Sequence, residues 1–245
     1  PALPDDPHPI DAAAYVRVFS EGLPLSALAD AGARGGALTM LRGLSAESDS
    51  SSRQLARYVE EIGRLHDLPV KAMLVFRPDR FLRGGDHTPF NEIGIAAVRF
   101  TTVHENYDRQ HQDVRVEERD GESVQFGDLP EFVDAAYLRG VAMLNLAAIA
   151  SLASAPPAPP NARILTSELS RSTTLRWDGV GDADLAGYEV VWRDTTSATW
   201  QHARFVGAQT EATLPISKDH TFFGVRSVDA DGNRSLVSFP VAAPK

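Results

Sequence analysis

Ser154 to Asn161 reads SAPPAPPN, and these eight residues decide how the chain is divided. Each of the four prolines lacks a backbone N–H and holds φ at roughly −65°, so no helix passes through them. Such a run is a semi-rigid, polyproline-like spacer. On its N-terminal side helix and strand signals alternate, and on its C-terminal side every signal is β. The 245-residue chain is therefore expected to comprise residues 1–153, a spacer at 154–161 and residues 162–245.

Working back from the spacer, Leu129 to Leu152 reads as one long amphipathic helix with Pro130 in its first turn. Ile95 to Phe100 and Val70 to Phe76 read as strands, with a polar loop at Thr101–Asp120 and a glycine-bearing loop at Phe81–Phe90. Leu55, Val59, Ile62 and Leu65 recur at helical spacing behind Ser51 or Ser52 as N-cap. Gly32 to Ser52 is a Gly- and Ser-rich loop, and Tyr15 to Phe19 is a short strand. Alternating helix and strand predicts an α/β unit. Two or three strands with this apolar load make a poor sheet alone, so further N-terminal strands are expected to complete it.

Downstream, Thr173–Trp177 (TTLRW), Gly187–Arg193 (GYEVVWR), Ala212–Pro215 and Phe222–Val228 are short alternating runs separated by turns. Some eighty residues of this kind suit a seven-stranded, immunoglobulin-like sandwich. The segment resembles a fibronectin type III domain, with Trp177 as the core tryptophan and GYEVVWR as the third strand. It departs from that pattern at Thr221, where a tyrosine usually opens the sixth strand. Asp229-Ala-Asp-Gly-Asn233 opens like a calcium loop but lacks the closing glutamate, so it reads as a hairpin turn.

Composition excludes several chemistries. A formal net charge of −9, with no evident cluster of Lys and Arg, argues against nucleic acid. The absence of cysteine removes disulfides, thiolate metal sites and cysteine nucleophiles. The most apolar run, Val141–Ala153, is broken by Asn145 and reads as too short to span a membrane. Pro-Ala-Leu-Pro at the start is no signal peptide, so the chain is expected to be processed or incomplete. Neither a dinucleotide fingerprint nor a phosphate loop, HExxH or Gly-x-Ser-x-Gly is present; Gly179-Val-Gly181 is a turn.

Candidate chemistry concentrates between Arg83 and Asp113 (RGGDHTPFNEIGIAAVRFTTVHENYDRQHQD), where His87, His104 and His111 flank one strand among many acids. Loops at strand ends of an α/β sheet are where ligands bind. Gly85-Asp86-His87-Thr-Pro-Phe90, then Gly94-Ile-Ala-Ala-Val98, then a histidine beyond a tyrosine-bearing loop resemble the secreted zinc aminopeptidase family. That family has glutamate-carboxypeptidase-like and glutaminyl-cyclase relatives. The resemblance runs from Val16-Arg-Val-Phe-Ser-Glu-Gly22 to about Ala153.

The resemblance implies a partial three-layer α/β/α sheet and two zinc ions sharing a bridging water, held by two histidines and three carboxylates. A further glutamate would be the general base, and a peptide the substrate. By position His111 is the last zinc ligand, with Asp108 or Asp113 fixing its tautomer. Asp86 and His87 would wall the pocket above Phe90. Two departures stand out: Asp113 lies only two residues beyond His111, and Tyr107 four before it. The family's other ligands precede the segment matched here, and His8 and Asp11 lack the scaffold to replace them. The chain then reads as the C-terminal part of a secreted or periplasmic exopeptidase, inactive alone and lacking its N-terminal half as partner. The alternatives are a non-enzymatic binding module using Trp192 or Trp200, and a single-zinc enzyme like the glutaminyl cyclases.

Overall fold

The structure is a computed structural model, and it describes residues 10–23, 45–167 and 170–243. Most of the Gly- and Ser-rich loop, and His8, lie outside the described residues.

Three strands form the first sheet: β1 (Tyr15–Ser20), β2 (Lys71–Val75) and β3 (Val98–Thr102), in the order β2-β1-β3. β1 runs parallel to β2 and antiparallel to β3. Strand side chains alternate between faces. Val16 and Val18 therefore point one way with Ala72, Leu74, Val98 and Phe100, while Arg17 and Phe19 point the other. The first set packs under α1 (Ser51–Leu65) and α3 (Ala135–Ser154), in one core with Ala56, Val59, Leu144 and Ala148. Both long helices thus lie on the same face. Of the expected partial α/β/α arrangement the described residues show the sheet and one helical layer, and no helical layer on the other face.

The N-cap of α1 lies one residue earlier than read, at Ser50, whose hydroxyl accepts the Arg53 N–H. Its close approach to α3 depends on Gly63, where a Cβ would stand 2.8 Å from Leu144 Cδ1. The long helix begins at Ala135, not at Leu129, because Asp134 caps it by accepting from Tyr137 N. Pro130 starts a separate 3-10 turn, Pro130–Phe132. Nor is α3 cleanly amphipathic: Gly140, Leu144 and Ala148 form its buried stripe, while Leu138, Leu146 and Ile149 are 57%, 66% and 65% exposed. Its 20 residues are long and apolar enough to cross a membrane, correcting the shorter run read from sequence, yet the stripe packs on α1. The third strand begins at Val98, and the loop before it holds a short helix, α2 (Thr88–Glu92). The polar stretch after Thr102 contains a hairpin of β4 (Arg115–Arg119) and β5 (Glu122–Phe126) that alternation of apolar residues does not reveal.

Past the prolines, seven strands make two facing sheets. β6 (Arg163–Leu165), β7 (Thr173–Arg176), β10 (Glu211–Leu214) and β12 (Val241–Ala243) form one, in the order β10-β7-β6-β12. β8 (Leu185–Asp194), β9 (His202–Gly207) and β11 (Thr221–Asp229) form the other, in the order β11-β8-β9. Inward residues of both sheets share a core of Ile164, Leu175, Leu214, Val190, Phe223 and Val225, with Trp177 edge-on to Tyr188 at 5.6 Å. The prolines do not swing free. Ser227 Oγ donates to Pro157 O at 2.8 Å and Ser238 Oγ to Pro159 O at 2.6 Å.

A buried ionic knot clamps the sandwich to α1. The Asp49 side chain is fully buried and accepts from Arg57 at 3.0 Å, Gln54 at 2.8 Å and Arg193 of β8 at 2.7 Å. Arg57 also donates to the carbonyls of Ser48 and Ala198, and Trp200 Nε1 donates to Gln54 at 3.1 Å. Burial raises the Asp49 carboxyl and lowers the Arg57 guanidinium to about 10, while their mutual attraction opposes both shifts. A second bridge joins Arg226 of β11 to Glu61 of α1 and to Glu189, each at 2.8 Å.

Exposed ion pairs contribute about 0–1 kcal/mol, whereas removing one partner of a buried pair costs about 3–5 kcal/mol. Asp49→Ala is therefore expected to lower stability by about 3–5 kcal/mol in urea unfolding, with both units lost in one transition. A loss below about 1 kcal/mol would contradict this assignment.

Candidate functional site

β2 ends at Val75 and the chain turns into Arg77-Pro-Asp-Arg-Phe-Leu-Arg-Gly-Gly85. Asp79 is the hub of this loop. Its side chain is 7% exposed and accepts the Arg80 N–H at 2.7 Å and Arg99 at 2.8 Å. Arg99 also donates to Gly84 O, closing the loop on β3. Burial alone would raise the Asp79 carboxyl, but the Arg80 N–H and the Arg99 and Arg80 guanidiniums outweigh it and hold it below the usual carboxylate value.

His87 is buried beside this hub. Its Nε2 donates to Pro78 O at 2.9 Å and lies 3.8 Å from Asp79 Oδ2. A carbonyl partner places the ring proton on Nε2 and leaves Nδ1 with its lone pair, buried and without a partner. Gly85 lies against it: a Cβ there would stand 3.2 Å from Nδ1 and closer still to the Arg99 guanidinium. α2 follows, and its Asn91 accepts from Ser52 Oγ at 3.0 Å, which itself accepts Ala97 N–H. The segment is thereby tied to the first turn of α1. Asp86 is exposed, and Phe90, expected to pack beneath the pair, is instead 50% exposed.

His111 sits in the next loop, exposed, with a left-handed φ of 56°. Asp108 pairs with Arg119 at 3.1 Å, and Asp113 is exposed with its carbonyl accepting from Arg115. Among the described residues no three or more His, Asp or Glu side chains are placed to hold a metal ion. The described residues of this chain therefore do not fit a complete zinc site. Of the candidate binding tryptophans, Trp200 seals the clamp to α1 and Trp192 stacks on His202 at 5.2 Å. At the Asp229–Asn233 turn both carboxylate oxygens of Asp229 are taken by Asn233.

A cleft that the sequence reading missed opens on the helix-free face of the first sheet. It measures about 620 Å³, and Arg17, Arg77, Arg80, Arg83, Glu105 and Tyr107 are among its lining residues. Glu105 accepts from Arg17 at 3.1 Å and also from Arg80. This gathering corrects the expectation that arginines are not clustered. The signal was present in the three-residue spacing of Arg77, Arg80 and Arg83, and in Arg17 at an alternate position of an apolar strand.

No family model matches the chain. It is similar to fungal proteins named probable zinc metalloprotease. One from Leptosphaeria maculans is 41% identical over 225 residues, which is 92% of this chain and 50% of that protein. One from Pyricularia oryzae is 45% identical over 80% of this chain and 39% of its own length. One from Pyrenophora tritici-repentis is 39% identical over 92% of this chain and 45% of its own length. The chain thus spans about half the length of the curated relatives it matches. Among solved structures, an Fn3-like protein from Clostridium thermocellum is 15% identical over 38% of this chain and 96% of that one, at a TM-score of 0.31.

The Asp79 hub carries a test with a defined sign. A carboxyl held below its ordinary value stabilises the fold above about pH 4, and the contribution is lost as pH falls through the lowered value. Asp79→Asn is expected to cost about 1–3 kcal/mol in urea unfolding at pH 7. The gap from the parent should narrow as the pH falls below the ordinary carboxylate range and through the lowered value of Asp79. A gap independent of pH would contradict the ionic assignment.

Proposed function

We propose that the chain is the C-terminal part of a zinc-dependent exopeptidase of the aminopeptidase type, acting on the free amino terminus of peptides. The observation that supports this best is the likeness to probable zinc metalloproteases, one of them 41% identical over 92% of the chain. In this reading residues 1–153 complete a peptidase sheet, 154–161 join it to a fibronectin type III-like sandwich, and the whole is secreted or periplasmic.

Two features of the first unit support a missing half. β2 and β3 are edge strands among the described residues, with unpaired outer N–H and C=O groups. The outer side of α3 presents Leu138, Leu146 and Ile149 to water, a surface that an adjoining polypeptide would cover. Both fit a segment of the kind by which the relatives exceed this chain.

His111 is proposed as a ligand to one of two zinc ions, whose other ligands lie on that further segment. The exposed loop leaves its imidazole accessible to a metal, and no hydrogen bond of its own must be broken first. The Asp86–His87 loop forms the adjoining wall. Its rigidity comes from Asp79, Arg99 and Asn91, which hold it on the end of the sheet.

The protein carrying the upstream segment should hydrolyse aminoacyl anilides, lose that activity to a chelator and regain it with zinc. His111→Ala in that protein should reduce zinc content and lower kcat/KM beyond the ~10–100-fold typical of losing an outer partner of a ligand. Undiminished zinc content and activity in this variant would remove His111 from the site. Cleavage of amino-terminally blocked peptides alone would contradict the aminopeptidase reading, and a single tightly held zinc would favour the cyclase-like alternative.

A further inference from the structure

We infer that the arginine-lined cleft is a binding site for the side-chain carboxylate of an acidic peptide residue. Four guanidiniums, those of Arg17, Arg77, Arg80 and Arg83, face one carboxylate, Glu105. That is a surplus of three positive charges in a chain whose formal net charge is −9. Asp79, which pairs with Arg80 from behind the wall, is itself matched by Arg99.

The four arginines fall into two kinds. Arg17 and Arg80 are committed to Glu105, and Arg17 also donates to Thr102 O at 2.9 Å. They build the floor. Among the described residues Arg77 and Arg83 have no carboxylate partner; each lies over an aromatic ring instead, Arg77 over Phe81 at 3.8 Å and Arg83 over Tyr107 at 6.0 Å. A guanidinium on a ring face keeps its in-plane N–H donors free, in the fork geometry that matches a carboxylate. Leu82, held at φ 56° and fully exposed, turns the chain between Phe81 and Arg83. A non-glycine residue at positive φ is uncommon and costs free energy. Phe19 and Val75 of the sheet give the cleft an apolar wall, which suits the aliphatic stem of a glutamate more than a free inorganic anion.

The peptide part of this assignment rests on the peptidase reading, whereas the selection for a carboxylate does not. The two separate experimentally. Fluorescein-labelled pentapeptides with an amidated C-terminus, differing only in a central Glu or Gln, would be titrated into the 245-residue protein by anisotropy. The Glu peptide should bind about tenfold more tightly than the Gln peptide, and added salt should narrow the difference. The double substitution Arg77→Gln, Arg83→Gln breaks no ion pair, so the fold should be retained by circular dichroism while the preference falls to about twofold or less. Equal affinity for the two peptides, or a preference unchanged in a folded double variant, would overturn the assignment. A carboxylate preference lost in that variant, in a longer protein that hydrolyses nothing, would uphold the cleft and reject the peptidase.

Discussion

Asp49 brings a carboxylate to a place without water, where an isolated charge would cost several kcal/mol. It persists there because two guanidiniums and an amide meet it, and those groups belong to different parts of the chain. Arg57 and Gln54 come from α1, and Arg193 from the middle strand of the second β-sheet. Buried ionic contacts are often no more stabilising than apolar ones of the same shape, but they are intolerant of misplacement. The knot therefore sets the position of the sandwich on the helix. Arg226 reaching from β11 to Glu61 repeats the device about one turn beyond Arg57 on α1. Trp200 closes the junction from the sandwich side, so an aromatic residue that would otherwise suit ligand binding is spent on packing.

The same helix organises the rest of the first unit. It shares a core with α3 and the sheet, and its first turn holds α2 through Ser52 and Asn91. With both long helices on one face, the opposite face of the sheet is left, among the described residues, to loops. Polar and aromatic residues of β1, chiefly Arg17 and Phe19, are then free to line a cleft. The loop after β2 crosses that face under the control of Asp79, so the candidate site and the cleft depend on one buried carboxylate, as the junction depends on another.

Much of this was legible from residue order, because it rests on short-range pattern. The alternation in Gly187–Arg193, the core position of Trp177 and the helical spacing from Leu55 to Leu65 all match observed elements. The hairpin of β4 and β5 was hidden because Arg115-Val-Glu-Glu-Arg119 carries charges on both faces and buries little. The start of α3 was misread because Pro130 is as suitable for a 3-10 turn as for a helix, and Asp134 makes the decisive cap. The ionic knot could not be read at all: Asp49 and Arg193 are 144 residues apart, and nothing local marks them as partners. The prolines mark where α3 must stop, and the chain is extended at Ala155 just before them, yet their carbonyls being pinned by Ser227 and Ser238 is a tertiary fact. For the site, motif order pointed to the Asp86–His87 loop and His111 as candidates, whereas the converging arginines required the sheet to be folded first.

The central claim is that this chain contributes residues to a zinc site without holding one by itself. The most direct test is zinc content per chain, by elemental analysis of the purified 245-residue protein after dialysis against trace zinc. The account predicts a content near zero, or weak sub-stoichiometric binding that disappears with His111→Ala. Two tightly held ions per chain would contradict it, because a complete ligand set would then exist within these residues.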